Sequence, residues 1–245
     1  MHLSKLAIPK PDLAQFASAR NFSQQLTTRY VVHSVLAEAF SECPTPFEVQ
    51  DKGRLLRVLF YSEKDADGLA SHAKFAASPE AYEAVNWTEA ASKPMPESFP
   101  AGMELRFSLR ACPVVRKASA GKGRNKDGEI RKWDEGTELD AFLSRQWTSD
   151  TELSRKEVYC DWLEHQFDAR GGAVPKDVTM ERFTIAEMTR RTGGNNRSVK
   201  SMKRPDVTLQ GTLKVEDSAP FARLLRSGLG RHKSFGYGML KIRPV

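Results

Sequence analysis

Phe47-Glu-Val-Gln-Asp-Lys-Gly-Arg-Leu-Leu-Arg-Val-Leu-Phe-Tyr61 is the stretch on which the fold turns. Strand-forming residues flank Asp51-Lys52-Gly53, a turn signal, so residues 47–50 and 55–61 read as two strands joined in a hairpin. Upstream, residues 3–8 alternate apolar and polar like a strand, and Pro9 and Pro11 end it. Asn21 or Ser23 then caps a helix running to about Phe40, which Pro44 and Pro46 stop. Downstream, residues 66–75 read as a short helix and residues 84–89 as a further strand. The order is βαββαβ, the ferredoxin-like arrangement.

The same order recurs later in the chain. Met103-Glu-Leu-Arg-Phe-Ser-Leu-Arg110 alternates, and Pro113 ends it. A polar stretch rich in Gly and Lys, residues 116–136, leads to a helix over 152–167 that Gly171-Gly172 terminates. Strands follow over 177–188 and 207–215, with residues 190–204 as a basic connection between them. A helix over 218–227 and a strand over 238–242 complete the unit. The reading is therefore an α+β protein of two tandem ferredoxin-like, RRM-like domains, residues 1–91 and 103–245. Residues 92–102, with three prolines, form the linker. A chain of 245 residues is long enough for both.

Hydrophobic residues make up 40% and charged residues 28%, which argues against collagen, low-complexity disorder and disulfide miniproteins. No window approaches the ~18 uninterrupted apolar residues of a membrane span, and Met1-His2-Leu3-Ser4-Lys5-Leu6 lacks a signal peptide's apolar core. A cytoplasmic location without membrane attachment is expected. Cys43, Cys112 and Cys160 are widely spaced, so neither a disulfide framework nor a zinc site is indicated. The net charge is +7 and unevenly distributed: residues 1–100 hold 10 basic and 12 acidic side chains. Three later stretches concentrate the excess, 104–132 with 9 basic and 3 acidic residues, 181–204 with 7 and 2, and 221–245 with 6 and none. Such stretches are commonly solvated loops, but three together point to a polyanionic partner.

The usual phosphate-loop, zincin and nucleophile-elbow signatures are absent, and no carboxylate cluster suggests a two-metal nuclease. No metal or cofactor is expected. Asp161, Glu164 and His165 read as an ordinary solvated helix face. Tyr30 and His33 are three residues apart, so they project about 60° apart on one helix and can act on one substrate atom. An imidazole titrates near neutrality and a phenol can hydrogen-bond a phosphate oxygen, which suits cleavage of RNA by its own 2'-hydroxyl. On spacing alone the pair is more often structural.

Near the C-terminus, Gly228-Leu-Gly-Arg-His-Lys-Ser-Phe-Gly-Tyr-Gly238 runs into an apolar strand. It resembles the C-terminal signature of CasE, the CRISPR-associated endoribonuclease of type I-E Cascade, a Gly-x-Gly-x-x-Lys-x-x-Gly-x-Gly loop whose every position is filled here. The opening Met-x-Leu-Ser-Lys-Leu strand, Phe107-Ser-Leu-Arg110-Ala-Cys-Pro113 and Trp162-Leu163 agree with it. Ser34 stands where that family commonly has Arg, and Cys112 where it has Asn. The resemblance implies that His33, with Tyr30 in a Tyr-x-x-His pattern, is catalytic. It also implies a basic hairpin that grips RNA, so Arg190, Arg191, Arg197, Lys200, Lys203 and Arg204 become RNA contacts. Arg231 and Lys233 in the glycine-rich loop, Arg110 in the shared segment, and Arg116 and Lys117 in the polar stretch complete the set.

The implied function is metal-independent cleavage of CRISPR precursor RNA at the 3' base of each repeat's stem-loop, leaving 2',3'-cyclic phosphate and 5'-hydroxyl ends. Retention on the crRNA hairpin as a Cascade subunit would follow. The alternatives are a noncatalytic RNA-recognition protein, suggested by Lys233-Ser-Phe-Gly-Tyr237, and a structural Cascade subunit without nuclease activity. In each case binding rests on cations meeting phosphates. The affinity for repeat RNA should therefore fall at least about tenfold between 50 and 200 mM salt, with a log–log slope of about −0.7 to −0.9 per phosphate contact. A filter-binding titration across that range measures it.

Overall fold

The computed structural model describes residues 1–22, 26–191 and 199–245. In the first half, β1 (His2–Pro9), α1 (Lys10–Ala19), α2 (Thr28–Phe40), β2 (Phe47–Lys52) and β3 (Leu55–Ser62) are followed by α3 (Ala66–Ala76), α4 (Pro79–Glu83) and β4 (Asn86–Pro94). The strands form one antiparallel sheet in the order β2-β3-β1-β4. Leu6 and Ile8 of β1, Val58 and Phe60 of β3 and Phe47 of β2 are buried against Val32, Val35 and Leu36 of α2. Helix α1 departs from the sequence expectation, in which Pro9 and Pro11 only end a strand. Pro9 is its N-cap and a proline occupies the first turn, where the missing N–H has no helical partner to lose. Helix α2 begins later than expected, with Thr27 as N-cap; Ser23 lies outside the described residues. Strand β4 reaches Pro94, pairing Ser92 with Ser4 and Pro94 with His2.

The second half repeats the topology. Its sheet is β5 (Glu104–Ala111), β10 (Ala173–Arg191), β11 (Val199–Val215) and β12 (Leu240–Pro244), in the order β10-β11-β5-β12, with α6 (Arg155–Arg170) and α7 (Ser218–Ser227) against it. Leu109, Val207, Leu209 and Leu213 meet Leu163, Phe167, Phe221 and Leu225 in a second apolar core. Two four-stranded sheets of the same order make this a tandem ferredoxin-like fold. Between β5 and α6 lie β6 (Val114–Arg116), β7 (Gly121–Arg124), β8 (Ile130–Trp133), β9 (Glu138–Asp140) and α5 (Ala141–Gln146).

Three differences from the sequence reading have physical causes. The basic connection expected at 190–204 includes the outer ends of β10 and β11, which pair as far as Arg191 with Val199. Much of this hairpin's outer half is exposed, so no period-two burial pattern marks it as strand. The last strand begins at Leu240, because Gly236 and Gly238 hold φ of +80° and +83°, outside the extended region. The polar stretch 116–136 folds as a hairpin of β7 and β8 seated on Trp133 and Trp147, whose rings stack 6.4 Å apart.

That seating depends on the absence of a side chain at Gly123, where a Cβ would lie 2.2 Å from the Trp147 carbonyl oxygen. Gly123→Ala is therefore expected to lift the hairpin and cost about 1–3 kcal/mol, as overpacking does. Denaturant unfolding followed by tryptophan fluorescence would show both the loss and the altered Trp147 environment.

Candidate active site and nucleic-acid surface

Helix α2 turns Val31, Val32, Val35 and Leu36 toward the sheet, which leaves Tyr30 and His33 half-buried on its other side. Their ring centroids are 6.4 Å apart. Tyr30 also meets the edge of Phe22 at 5.8 Å. The Nδ1 of His33 is buried and bonds to none of the described residues. Burial lowers the His33 pKa below its ordinary 6.5, because the cation loses its hydration. Burial therefore favours the neutral imidazole. Ser34, at the position where CasE proteins commonly have Arg, donates from Oγ to the Tyr30 carbonyl at 3.1 Å.

The glycine-rich loop arrives from the other half of the molecule. Leu229 N–H donates to the Gly238 carbonyl at 2.9 Å, and Gly238 N–H to the Arg110 carbonyl at 2.8 Å. A Cβ on Gly238 would stand 2.5 Å from the Leu229 carbonyl oxygen, so only glycine closes this pinch. The pinched loop projects a 3₁₀ turn, Lys233–Phe235, toward α2. Phe235 lies 5.9 Å from His33 and 6.4 Å from His232. The reactive-looking face of α2 and the loop, some two hundred positions away in sequence, therefore share one edge.

Beside that edge is an open groove of about 760 Å³, where Arg116, Arg204, Arg231 and Lys233 converge with a single carboxylate, Glu138. Glu138 pairs with Arg231, lies 3.5 Å from Arg204 Nη2 and stands 3.0 Å from His232 Nε2. Burial raises the Glu138 pKa, but His232 and the arginines outweigh it and hold the group below its ordinary value. Burial lowers the pKa of Lys233 and, against the pull of Glu138, that of His232. Four cations around one acid leave a strongly positive surface.

The other residues singled out from sequence are placed differently. Lys200 and Lys203 are exposed on β11, and Arg190 and Arg191 occupy the end of β10. Arg197 lies outside the described residues. Lys117 donates to Ser144 Oγ at 3.2 Å and sits 4.6 Å over the Trp133 ring, which draws it away from the groove. Arg110 is held within the scaffold: Nε and Nη2 donate to the two oxygens of Asp206 at 2.8 and 2.6 Å, and Nη1 donates to the Val49 carbonyl. Among the described residues no group of three or more His, Cys, Asp or Glu side chains is placed to hold a metal ion. No helix among them is long and apolar enough to cross a membrane.

Sequence reasoning overlooked Arg29, Glu138, Asp206 and Phe235 as site residues. Arg29 shares a helix face with His33 at i, i+4 and was within reach of the spacing argument; nothing local marks Asp206 or Glu138.

Against known proteins, the chain matches the family described as CRISPR associated protein over residues 1–244. No curated protein sequence matches it. Its fold is similar to that of a CRISPR endoribonuclease Cse3 bound to 19 nt RNA, at 22% identity and a TM-score of 0.60 with both chains covered in full. The CRISPR-associated protein Cas6e from Escherichia coli str. K-12 is similar at 20% identity and a TM-score of 0.57, again over both whole chains. A chain of a CRISPR RNA-guided surveillance complex matches over both full lengths at 15% identity and a TM-score of 0.56.

The Asp206 side chain is 3% exposed and accepts from two arginines, Arg29 Nη2 at 2.8 Å and Arg110 Nη2 at 2.6 Å, with Arg182 Nη2 at 3.9 Å. Asp206→Ala leaves both part-buried guanidiniums without their carboxylate. It should destabilise the fold by about 3–5 kcal/mol, read from the denaturant midpoint.

Proposed function

Because the chain belongs to the CRISPR-associated protein family, matching it over residues 1–244, we propose that it is an endoribonuclease of CRISPR precursor RNA. It cuts each repeat at the 3' base of the stem-loop and stays on the crRNA hairpin as a Cascade subunit in the cytoplasm. The observation that carries this reading is the meeting of Tyr30 and His33 with the glycine-rich loop, at 5.9 Å between His33 and Phe235, beside a groove of four cations. In this division the first unit, residues 1–91, supplies the catalytic helix. The second, residues 103–245, supplies the basic hairpin and the loop.

The chemistry follows from the side chains. Neutral His33 takes the proton of the 2'-hydroxyl, whose oxygen forms a bond to the adjacent phosphorus. The bond from phosphorus to the 5'-oxygen breaks, and that oxygen receives a proton, leaving a 2',3'-cyclic phosphate and a 5'-hydroxyl. The Tyr30 phenol can donate to the leaving oxygen or to a phosphate oxygen. Lys233 and Arg231 stabilise charge that builds on the phosphate, and the glycine backbone lets it approach closely. Because the nucleophile belongs to the RNA, the step needs only a base, an acid and fixed positive charge. The proposal is accordingly metal-independent. The cations of the 190–204 segment, Arg190, Arg191, Arg197, Lys200, Lys203 and Arg204, meet the phosphates of an A-form stem, whose deep major groove resists reading by side chains.

A noncatalytic RNA-recognition role finds less support. Such modules stack bases on exposed aromatics, whereas Tyr237 is 1% exposed beneath Arg29 and Phe235 packs on His33.

Purified protein incubated with a stem-loop repeat RNA from its own genome in excess EDTA should cleave it, and His33→Ala should bind without cleaving. Binding without cutting by both proteins would instead indicate an RNA-binding subunit. The pH dependence follows from burial of His33. Burial holds its value below the ordinary 6.5, so the base is available at neutral pH and is lost as pH falls through the lowered value. Single-turnover rates should stay level from pH 8 to neutrality and drop on the acid side.

A further inference from the structure

Helix α2 rests on the first sheet, yet its first turn is bonded to the second. Thr27 N–H donates to Thr189 Oγ1 at 2.9 Å, and the two hydroxyls lie 3.1 Å apart. Two residues on, Arg29 donates from Nη2 to Asp206 at 2.8 Å and from Nη1 to the Tyr237 hydroxyl, with its guanidinium 4.8 Å over the Tyr237 ring. Arg29 precedes His33 by four residues, about 40° of rotation and about 6 Å of rise, so the two share a face. Thr189 is fully buried, and the side chain of Asp206 is nearly so.

Thr189 stands on β10 and Asp206 on β11, opposite Ser201 and Thr184. Both belong to the hairpin whose outer half carries Lys200, Lys203 and Arg204. The bonds are directional: an apolar contact allows a helix to rotate or slide, whereas an ion pair and a hydroxyl bond fix its azimuth. Arg29 offers little to a phosphate, since its side chain is 19% exposed and its donors already meet Asp206 and Tyr237.

We propose that Arg29 and Thr189 are positioning residues. Through Asp206 and Thr27 they clamp α2 to the RNA-gripping hairpin, so that His33 is held against the glycine-rich loop and the substrate's binding surface and its reacting phosphate keep one register. The inference rests on the reading of His33 as catalytic and deepens it. Binding energy gathered along the hairpin is then used at a site that the hairpin itself orients. A displacement of about 1 Å in such a site can cost about 100-fold in rate.

The test compares single-turnover cleavage of stem-loop repeat RNA at saturating protein with the equilibrium Kd for the same RNA bearing a 2'-deoxy group at the cut site. Arg29→Met leaves Asp206 paired with Arg110 through both oxygens, and Thr189→Val removes one hydroxyl at nearly constant shape. Each should lower the rate at least about tenfold while Kd stays within about twofold, a split expected when positioning is lost and binding is not. Arg29→Lys keeps the charge and one donor and should recover much of the loss. Unchanged rates in Arg29→Met and Thr189→Val overturn the proposal. So do rate losses matched by equal losses of affinity, which would make Arg29 an RNA contact, and losses that track the folded fraction by circular dichroism in all three variants. Full cleavage by His33→Ala in the same series would overturn the underlying assignment as well, and so separates the two failures.

Discussion

One buried carboxylate ties the two halves of this molecule together. Asp206 accepts from Arg110, a strand residue of its own sheet, and from Arg29, a residue of the helix packed on the other sheet. Burial raises the pKa of Asp206, while Arg29 and Arg182 oppose that rise. Desolvating such a triad is costly, and apolar packing of the same shape is often as stable. What charges add is orientation. The guanidinium of Arg29 is planar and its donors are fixed in direction, so the helix can dock in only one rotation. Tyr237, beneath Arg29, brings the glycine-rich loop into the same arrangement. Around this node Lys241 pairs with buried Glu48 at 2.7 Å, and Tyr61 donates to the Leu240 carbonyl at 2.9 Å. The seam between the halves is thus bonded at several points by polar groups.

A second carboxylate organises the opposite side of the loop. Glu138 gathers Arg204 from the hairpin with Arg231 and His232 from the loop. Without it, these groups would repel one another across a small open groove. With it, the cations are held close together while the surface remains positive. The two acids therefore divide the arginines between them. Asp206 consumes its partners inside the scaffold, and Glu138 arranges its partners at a surface that a phosphate chain can reach.

Much of the fold was legible because local rules and global structure agree. The alternation over residues 3–8 became β1, the expected hairpin joins β2 to β3, though its turn is Gly53-Arg54 because Asp51 and Lys52 still pair as strand, and α7 runs from Ser218 to Ser227 between an aspartate cap and a glycine. Where the reading went astray, two rules competed. Pro11 breaks a strand but also suits a helix's first turn, and α1 was lost to the first rule. Residues 190–191 and 199–204 are mostly polar, so the pairing of Arg190 with Lys200 and of Arg191 with Val199 left no clear period-two pattern to read. In the site, the Tyr30 and His33 spacing and the glycine pattern were visible. Phe235 was noted only as part of an aromatic motif, since its packing on His33 is a contact across the whole chain.

The sequence by itself determined the order of elements, the concentration of positive charge in the second half, and an imidazole and a phenol on one helical face. These follow from short-range geometry, which a few consecutive residues dictate. Only the tertiary structure decided which cations remain available. Arg110 and Arg116 lie six residues apart in a basic stretch, yet one is fixed to Asp206, 96 positions away, while the other lines the groove. Pairing depends on through-space distance and on how far water is excluded, and neither is set until the two sheets and the loop have come together.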